Sequence, residues 1–289
     1  MKQSKPFFSI IIPTLNEEKY LPKLLQDLAK QTFRDFEVIV ADGNSVDKTV
    51  REAKTYAKKL PKLQLIISQK RSASYQRNLG ASKAKGEYIV FLDADDRLPV
   101  YFIEGIKYRL LVTDAEIFTT WCEVDSDNSS DKVVGQIMNL AFELGRLVEQ
   151  PVGSASMIGI SNKGFQKVGG FREDLTYAED EAFLRAARKL GLHYEIFKDP
   201  RYVYSLRRLR KGKKLTVFRR FAKLQFKKLM KIPIDQSEYQ MGGSYHLNGS
   251  GLKHSAFDLQ KNLERLLRKP KSVRKRLLRL LETLGEELE

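Results

Sequence analysis

The residues of this chain most able to do chemistry are three carboxylates crowded at the end of an apolar run: Tyr88-Ile89-Val90-Phe91-Leu92 leads straight into Asp93-Ala94-Asp95-Asp96. In an extended chain Asp93 and Asp95 point to the same side and Asp96 follows one step on, so their mutual repulsion calls for protonation, water or a cation. Hard oxygen ligands suit Mg2+ or Mn2+, and an ion held by only one or two carboxylates keeps open positions for the oxygens of a diphosphate. The competing use of the same residues is a turn that caps the helix expected after Leu98-Pro99. Polar loops follow three earlier apolar runs as well: Pro13-Thr14-Leu15-Asn16-Glu17-Glu18, Asp42-Gly43-Asn44-Ser45-Val46-Asp47 and Gln69-Lys70-Arg71-Ser72. Asp42 can accept the N–H of a uracil-like base or cap a helix at Val46. Arg71 suits a phosphate or plain solvent, Glu17 suits a first helical turn, and Thr14 and Asn16 suit turn-making. Further on, Glu179-Asp180-Glu181 open a helix whose dipole they complement, and His193, His246 and His254 are not poised as rivals.

The elements that must position these residues alternate. Strands are expected over 7–12 (stopped by Pro13), 37–41, 63–68 and 88–92, with helices between them. One helix carries Leu21, Leu24, Leu25 and Leu28 on a single face, and the next carries Val46, Val50, Ala53, Ala57 and Leu60. Such alternation at short spacing means parallel strands joined by right-handed crossovers, with all four strand-end loops on one rim. Neither Gly-x-Gly-x-x-Gly nor a Gly-rich loop ending in Lys-Ser/Thr occurs, which excludes the two common nucleotide motifs. Beyond the acidic edge the pattern predicts a helix over 100–111, a strand over 115–124, a mobile polar loop over 125–131, a helix over 133–148 and a strand over 154–160. Gly169-Gly170-Phe171 then makes a tight turn before a helix over 179–190 that buries Phe183, Leu184, Ala187 and Leu190.

Composition bounds the rest. A chain of 289 residues with 42% hydrophobic content can bury one substantial core plus a smaller appendage. The single cysteine, Cys122, excludes an internal disulfide framework and a Cys-based zinc site. No apolar run approaches the roughly 20 residues of a bilayer span, and the first six residues are polar, so a cytoplasmic protein is expected. A net charge of +16 and a pI of about 9.7 imply an anionic partner. Residues 201–231 hold thirteen Lys or Arg and no Asp or Glu. Within them 213–230 reads as a basic amphipathic helix, carrying Leu215, Phe218, Ala222, Phe226 and Leu229. It either docks on an anionic membrane surface or packs its apolar face on the rest of the protein. Interleaved Tyr202, Tyr204, Phe218 and Phe221 leave a nucleic-acid-binding module as a rival, although the acidic strand ends argue against nucleic acid. Further amphipathic patterns follow at 257–267 and 277–284.

Four motifs in order resemble the inverting family 2 glycosyltransferases of GT-A fold. They are Pro13-Thr14-Leu15-Asn16-Glu17, Asp42-Gly43-Asn44-Ser45-Val46-Asp47, Gln76-Arg77-Asn78-Leu79-Gly80 with Asp93-Ala94-Asp95, and Gly169-Gly170-Phe171 with Glu179-Asp180. The resemblance implies an α/β, Rossmann-like, mostly parallel sheet flanked by helices over 1–210, with a helical basic C-terminal extension over 211–289. It implies a nucleotide site at Pro13, Thr14, Asn16, Glu17, Asp42, Arg71 and Asp93, a metal (Mn2+ or Mg2+) on Asp95, and Asp180 as catalytic base. Glu179, Arg207 and Arg208 are diphosphate or acceptor candidates. The implied reaction moves a sugar from a UDP- or GDP-linked donor to an acceptor hydroxyl, on a saccharide or a lipid-linked saccharide, at the inner face of a membrane. The nearest enzymatic rival, a sugar-nucleotide nucleotidyltransferase, needs a Gly-rich activating loop after the first strand, which is missing.

Overall fold

The computed structural model describes residues 5–147, 156–175 and 179–207. The chain divides into two compact units, one of Met1–Asn139 with Pro151–Leu206 and one of Leu140–Gln150 with Arg207–Glu289. The first unit is built on a seven-stranded sheet of order β3-β2-β1-β4-β6-β5-β7. Its strands are β1 (Phe8–Thr14), β2 (Phe36–Asp42), β3 (Leu63–Ile67), β4 (Tyr88–Leu92), β5 (Ile117–Val124), β6 (Met157–Ser161) and β7 (Tyr194–Tyr204). β1 runs parallel to β2 and β4, β2 parallel to β3, and β5 parallel to β7, while β6 is antiparallel to both neighbours. The carboxyl ends of β1 to β4 therefore meet on one rim, and the start of β6 joins them there.

The helices are α1 (Leu21–Ala29), α2 (Thr49–Lys54), α3 (Ala73–Ala81), α4 (Phe102–Val112), α5 (Ser129–Leu147), α6 (Asn162–Val168) and α7 (Glu179–Lys189). In α1 the leucine face is fully buried, and a proline sits in the first turn, where its missing N–H is not needed. Ile11, Ile39, Phe91, Ile158 and Ile160 of the sheet pack with Phe171, Phe183, Leu184 and Ala187, so the same core holds the rim strands and seats α7. The Phe171 and Phe183 rings stack at 4.2 Å, which fixes the start of α7 relative to the Gly-Gly turn.

Several expectations are corrected. β1 continues through Pro13 to Thr14, because its pairing with β4 ends at Ile11 and only β2 accompanies it further. Val46 is 82% exposed and Ala57 is exposed as well. The helix starts only at Thr49, whose N–H and hydroxyl both donate to Asp47, while Asp47 also takes the N–H of Glu18. Those bonds hold 42–48 as a loop. Leu190 is 54% exposed, since α7 stops at Lys189 and Gly191 turns the chain at φ 77°. The loop expected to be mobile is tied down: Asp125 accepts from Leu206 N–H at 2.8 Å and Ser205 Oγ at 3.2 Å, and Ser126 donates to Asp131 at 2.7 Å. The start of the basic stretch is the end of β7, and Tyr202 is fully buried there, so it is not available to stack on a base.

Arg208, the expected basic helix at 213–230 and the two later amphipathic patterns lie outside the described residues. Among the described residues no helix is long and apolar enough to cross a membrane.

Candidate active site

Loops one and two, after β1 and β2, are laced together by side chains. Asn16 N–H donates to Ser45 Oγ at 2.8 Å, Val46 N–H donates to Asn16 Oδ1 at 3.0 Å, and Glu17 N–H donates to Thr49 Oγ1 at 2.7 Å. Asn16 and Asn44 take left-handed backbone conformations, φ 57° and 61°, which asparagine tolerates better than most residues and which turn both loops back over the rim. Pro13 is half-buried, Thr14 is buried, Asn16 is exposed and Glu17 is half-buried.

Asp42 does not cap a helix at Val46, since the helix starts at Thr49. Its carboxylate accepts from Thr14 Oγ1 at 2.9 Å, Ser45 Oγ at 2.6 Å and Ser45 N–H at 2.7 Å, and the residue has no exposed surface. A carboxylate so committed caps Ser45 rather than a helix at Val46, and it ties the loops after β1 and β2 together. Arg71, by contrast, is exposed beside loop two and donates to the Asn44 carbonyl at 3.3 Å.

The acidic segment is a turn rather than the extended run assumed from spacing. Asp96 N–H donates to the Asp93 carbonyl at 3.1 Å, and Asp96 Oδ2 accepts the Asp93 N–H at 3.0 Å. Asp96 is thereby directed inward, and burial, reinforced by Asp93 and Asp95, pushes its carboxyl well above the usual range. Asp93 and Asp95 stay partly exposed. They are the carboxylates at this turn able to hold a divalent ion. Among the described residues no group of three or more His, Cys, Asp or Glu converges on a metal position.

Arg77, on α3 within the Gln76–Gly80 motif, is the hub of the site. Only 3% exposed, it donates through Nη2 to Asp93 at 2.9 Å and through Nη1 to Glu179 at 3.1 Å. Burial alone would lower its pKa, but Asp93, Glu179 and Asp180 together raise it. The guanidinium thus links the acidic turn to the first turn of α7. Glu179 is 4% exposed and committed to this pair, which leaves half-buried Asp180 as the more accessible carboxylate of the two. Asp180 accepts the Glu181 N–H at 2.9 Å and lies within electrostatic reach of Arg77. Arg207 falls in the second unit.

A cleft of about 590 Å3 lies apart from these carboxylates, lined by Asp27, Arg97, Tyr101, Glu123, Lys198 and Arg201 among others. Its three cations are balanced by Asp27, Glu123 and Asp199, so it offers no charge selection, and the rim remains the candidate site.

Comparison with known proteins identifies the family and the fold. The model of the family "Glycosyl transferase family 2" matches residues 9–169. The poly(ribitol-phosphate) beta-N-acetylglucosaminyltransferase TarS of Staphylococcus aureus is 30% identical over 208 residues, covering 70% of this chain and 36% of TarS. A PGL/p-HBAD biosynthesis glycosyltransferase of Mycobacterium tuberculosis is 42% identical over 94 residues, 32% of this chain and 37% of the relative. The chain therefore spans only about a third of the length of these relatives. Among solved structures, S. aureus TarS 1–349 in complex with UDP superposes with a TM-score of 0.57 at 25% identity, over 68% of this chain and 60% of that one. The mannosyltransferase PcManGT of Pyrobaculum calidifontis, in complex with GDP-Man and Mn2+, gives 0.57 at 22% identity, over 70% and 57%, and shares the fold. The seven-stranded sheet is that of the GT-A glycosyltransferases, and the chain belongs to glycosyl transferase family 2.

Proposed function

We propose that this chain transfers a hexose from a nucleoside-diphosphate sugar, UDP-linked in the first instance, to an acceptor hydroxyl with inversion at the anomeric carbon. The observation that carries the reading is the Arg77 bridge, which joins the Asp93 turn to Glu179 and Asp180 across the rim. A donor side and a base side held by one buried cation suit a single in-line displacement. Asp180 accepts the proton of the acceptor hydroxyl, whose oxygen bonds to the anomeric carbon as the bond to the diphosphate oxygen breaks. Loops one and two, with Pro13, Thr14, Asn16 and Glu17 shaped around Asp42, form the nucleotide side, and exposed Arg71 faces the phosphates. Asp95, with Asp93 beside it, would hold Mn2+ or Mg2+, which when bound would neutralise the charge growing on the leaving diphosphate.

The acceptor is a saccharide or lipid-linked saccharide presented at an anionic membrane face on the cytoplasmic side. Support comes from the thirteen cations of 201–231 and from two relatives whose names specify a ribitol-phosphate polymer and an undecaprenol-linked glycan. Arg207 and Arg208 are placed by this reading on the diphosphate or the acceptor, and residues 211–289 form the basic extension.

The test is UDP binding by titration calorimetry with Mn2+ and with EDTA. Tighter binding with the metal, lost in Asp95→Ala, supports the reading, and an Asp95→Ala variant with unchanged metal dependence overturns the metal assignment.

A further inference from the structure

Three consecutive residues of α3 leave the helix toward three different parts of the rim. Gln76 Nε2 donates to the Thr14 carbonyl at 2.6 Å and to the Ala41 carbonyl at 2.7 Å, clasping the ends of β1 and β2 beneath the nucleotide loops. Arg77 spans the acidic turn and α7. Asn78 holds the backbone of Phe171 on both sides: its Nδ2 donates to the Phe171 carbonyl at 2.8 Å and its Oδ1 accepts the Phe171 N–H at 2.8 Å, while Nδ2 also reaches Glu173 at 3.1 Å.

Two glycines make these reaches possible. A Cβ on Gly80 would stand 2.4 Å from Ile11 Cγ2, so glycine there lets α3 press onto β1. Gly170, at φ 88°, would bring a Cβ within 2.8 Å of Asn78 Oδ1, so the turn before Phe171 and the Asn78 amide are fitted to each other. All three side chains are drawn from one rigid turn, so the spacing of donor loops, metal turn and acceptor-side turn is set by a single element.

We infer that Gln76 and Asn78 are positioning residues with separate duties: Gln76 sets the nucleotide side, and Asn78 sets the acceptor-side turn that leads to the catalytic helix. The inference rests on the glycosyl-transfer reading above. Neither residue touches the reacting atoms. Loosening Gln76 lets the donor loops part, which weakens donor binding. Loosening Asn78 frees Phe171, whose ring stacks on Phe183 of α7, so Asp180 loses its set position while the donor loops stay clasped.

The test follows UDP release from UDP-GlcNAc to water, with UDP affinity measured alongside. Gln76→Met, nearly isosteric but without the amide donors, should raise KM and the UDP Kd by about tenfold or more, whereas Asn78→Ala should lower kcat by about tenfold or more and leave KM within about threefold. Asn78→Asp, which keeps the acceptor for Phe171 N–H, should fall between wild type and Asn78→Ala in kcat. Amide exchange over 162–175 should quicken in Asn78→Ala and not in Gln76→Met. A purely structural role would lower the melting temperature of both variants and leave the kinetics of the folded fraction alone. If the wild type releases UDP and both variants change KM and kcat in the same proportion, the division of duties is wrong while the glycosyl-transfer reading stands. A wild type that neither binds UDP nor releases it defeats that reading and this inference together.

Discussion

Replacing Arg77 by Met keeps the apolar stem of the side chain and deletes the cation that two carboxylates share. Glu179 would then be a buried carboxylate at 4% exposure with its partner gone, and Asp93, with 23% of its side chain exposed, would be rehydrated in part. Breaking a buried ion pair from one side costs about 3–5 kcal/mol, because the remaining charge keeps its desolvation without its attraction. Most of that penalty belongs to Glu179. The loss of the Arg77 guanidinium from its place 5.5 Å from the centroid of the Phe171 ring adds about 0.5–2 kcal/mol. The double variant Arg77→Met/Glu179→Gln removes the uncompensated charge and should recover about 2 kcal/mol or more of the single variant's loss. Urea unfolding followed by fluorescence reads this directly, since the chain's one tryptophan, Trp121, is buried in β5 of the same unit. A loss below about 1 kcal/mol in Arg77→Met, or no recovery in the double variant, would show that the pair does not hold the two halves of the rim together.

Two further predictions concern the metal and the lone thiol. If Asp95 holds the metal, Asp95→Ala should abolish the difference between Mn2+ and EDTA in UDP binding while leaving the melting temperature of the free protein within a degree or two, as the residue is partly exposed. Burial pushes the Cys122 thiol up from 9.0 to about 12, so iodoacetamide at pH 8 should spare the native protein and label it in urea. Its folded pKa lies above the unfolded value, so the stability it contributes is complete below pH 9.0 and drains away as pH rises toward about 12. The slope is about 1.4 kcal/mol per pH unit. A Cys122→Ala variant should show a shallower alkaline slope than the wild type, the remainder coming from buried Tyr202, whose hydroxyl is also pushed up by burial.

The sheet of the first half was legible because apolar strands alternate with one-faced helices, and four parallel strands leave little freedom in where their carboxyl ends lie. No strand was expected at β7, because Lys198-Asp199-Pro200-Arg201 interrupts it with charge and a proline and only the pairing of Tyr202 with Cys122 reveals it. The candidate site was legible in its residue types but not in their directions. Spacing assumed an extended Asp93–Asp96 run, yet the segment turns and directs Asp96 inward. Asp42 read as a base contact or a cap at Val46, and nothing in the sequence showed that three donors from Thr14 and Ser45 meet it. The role of Arg77 was not legible, because nothing in a one-dimensional pattern says that a helical arginine meets residues 16 positions and 102 positions away. Such long-range pairing is a property of the packed sheet rather than of any local segment.

The central claim is that Asp180 is the base of a glycosyl transfer whose donor side is built by other residues. Asp180→Asn keeps the size of the side chain and an oxygen for the Glu181 N–H, and removes only the capacity to take a proton. The decisive measurement is UDP affinity and UDP release from UDP-GlcNAc in Asp180→Asn, set beside Glu179→Gln. The account predicts that Asp180→Asn binds UDP as the wild type does while its turnover falls by roughly 100-fold or more. Turnover within a few-fold of wild type in Asp180→Asn, with the large loss appearing in Glu179→Gln instead, would contradict it.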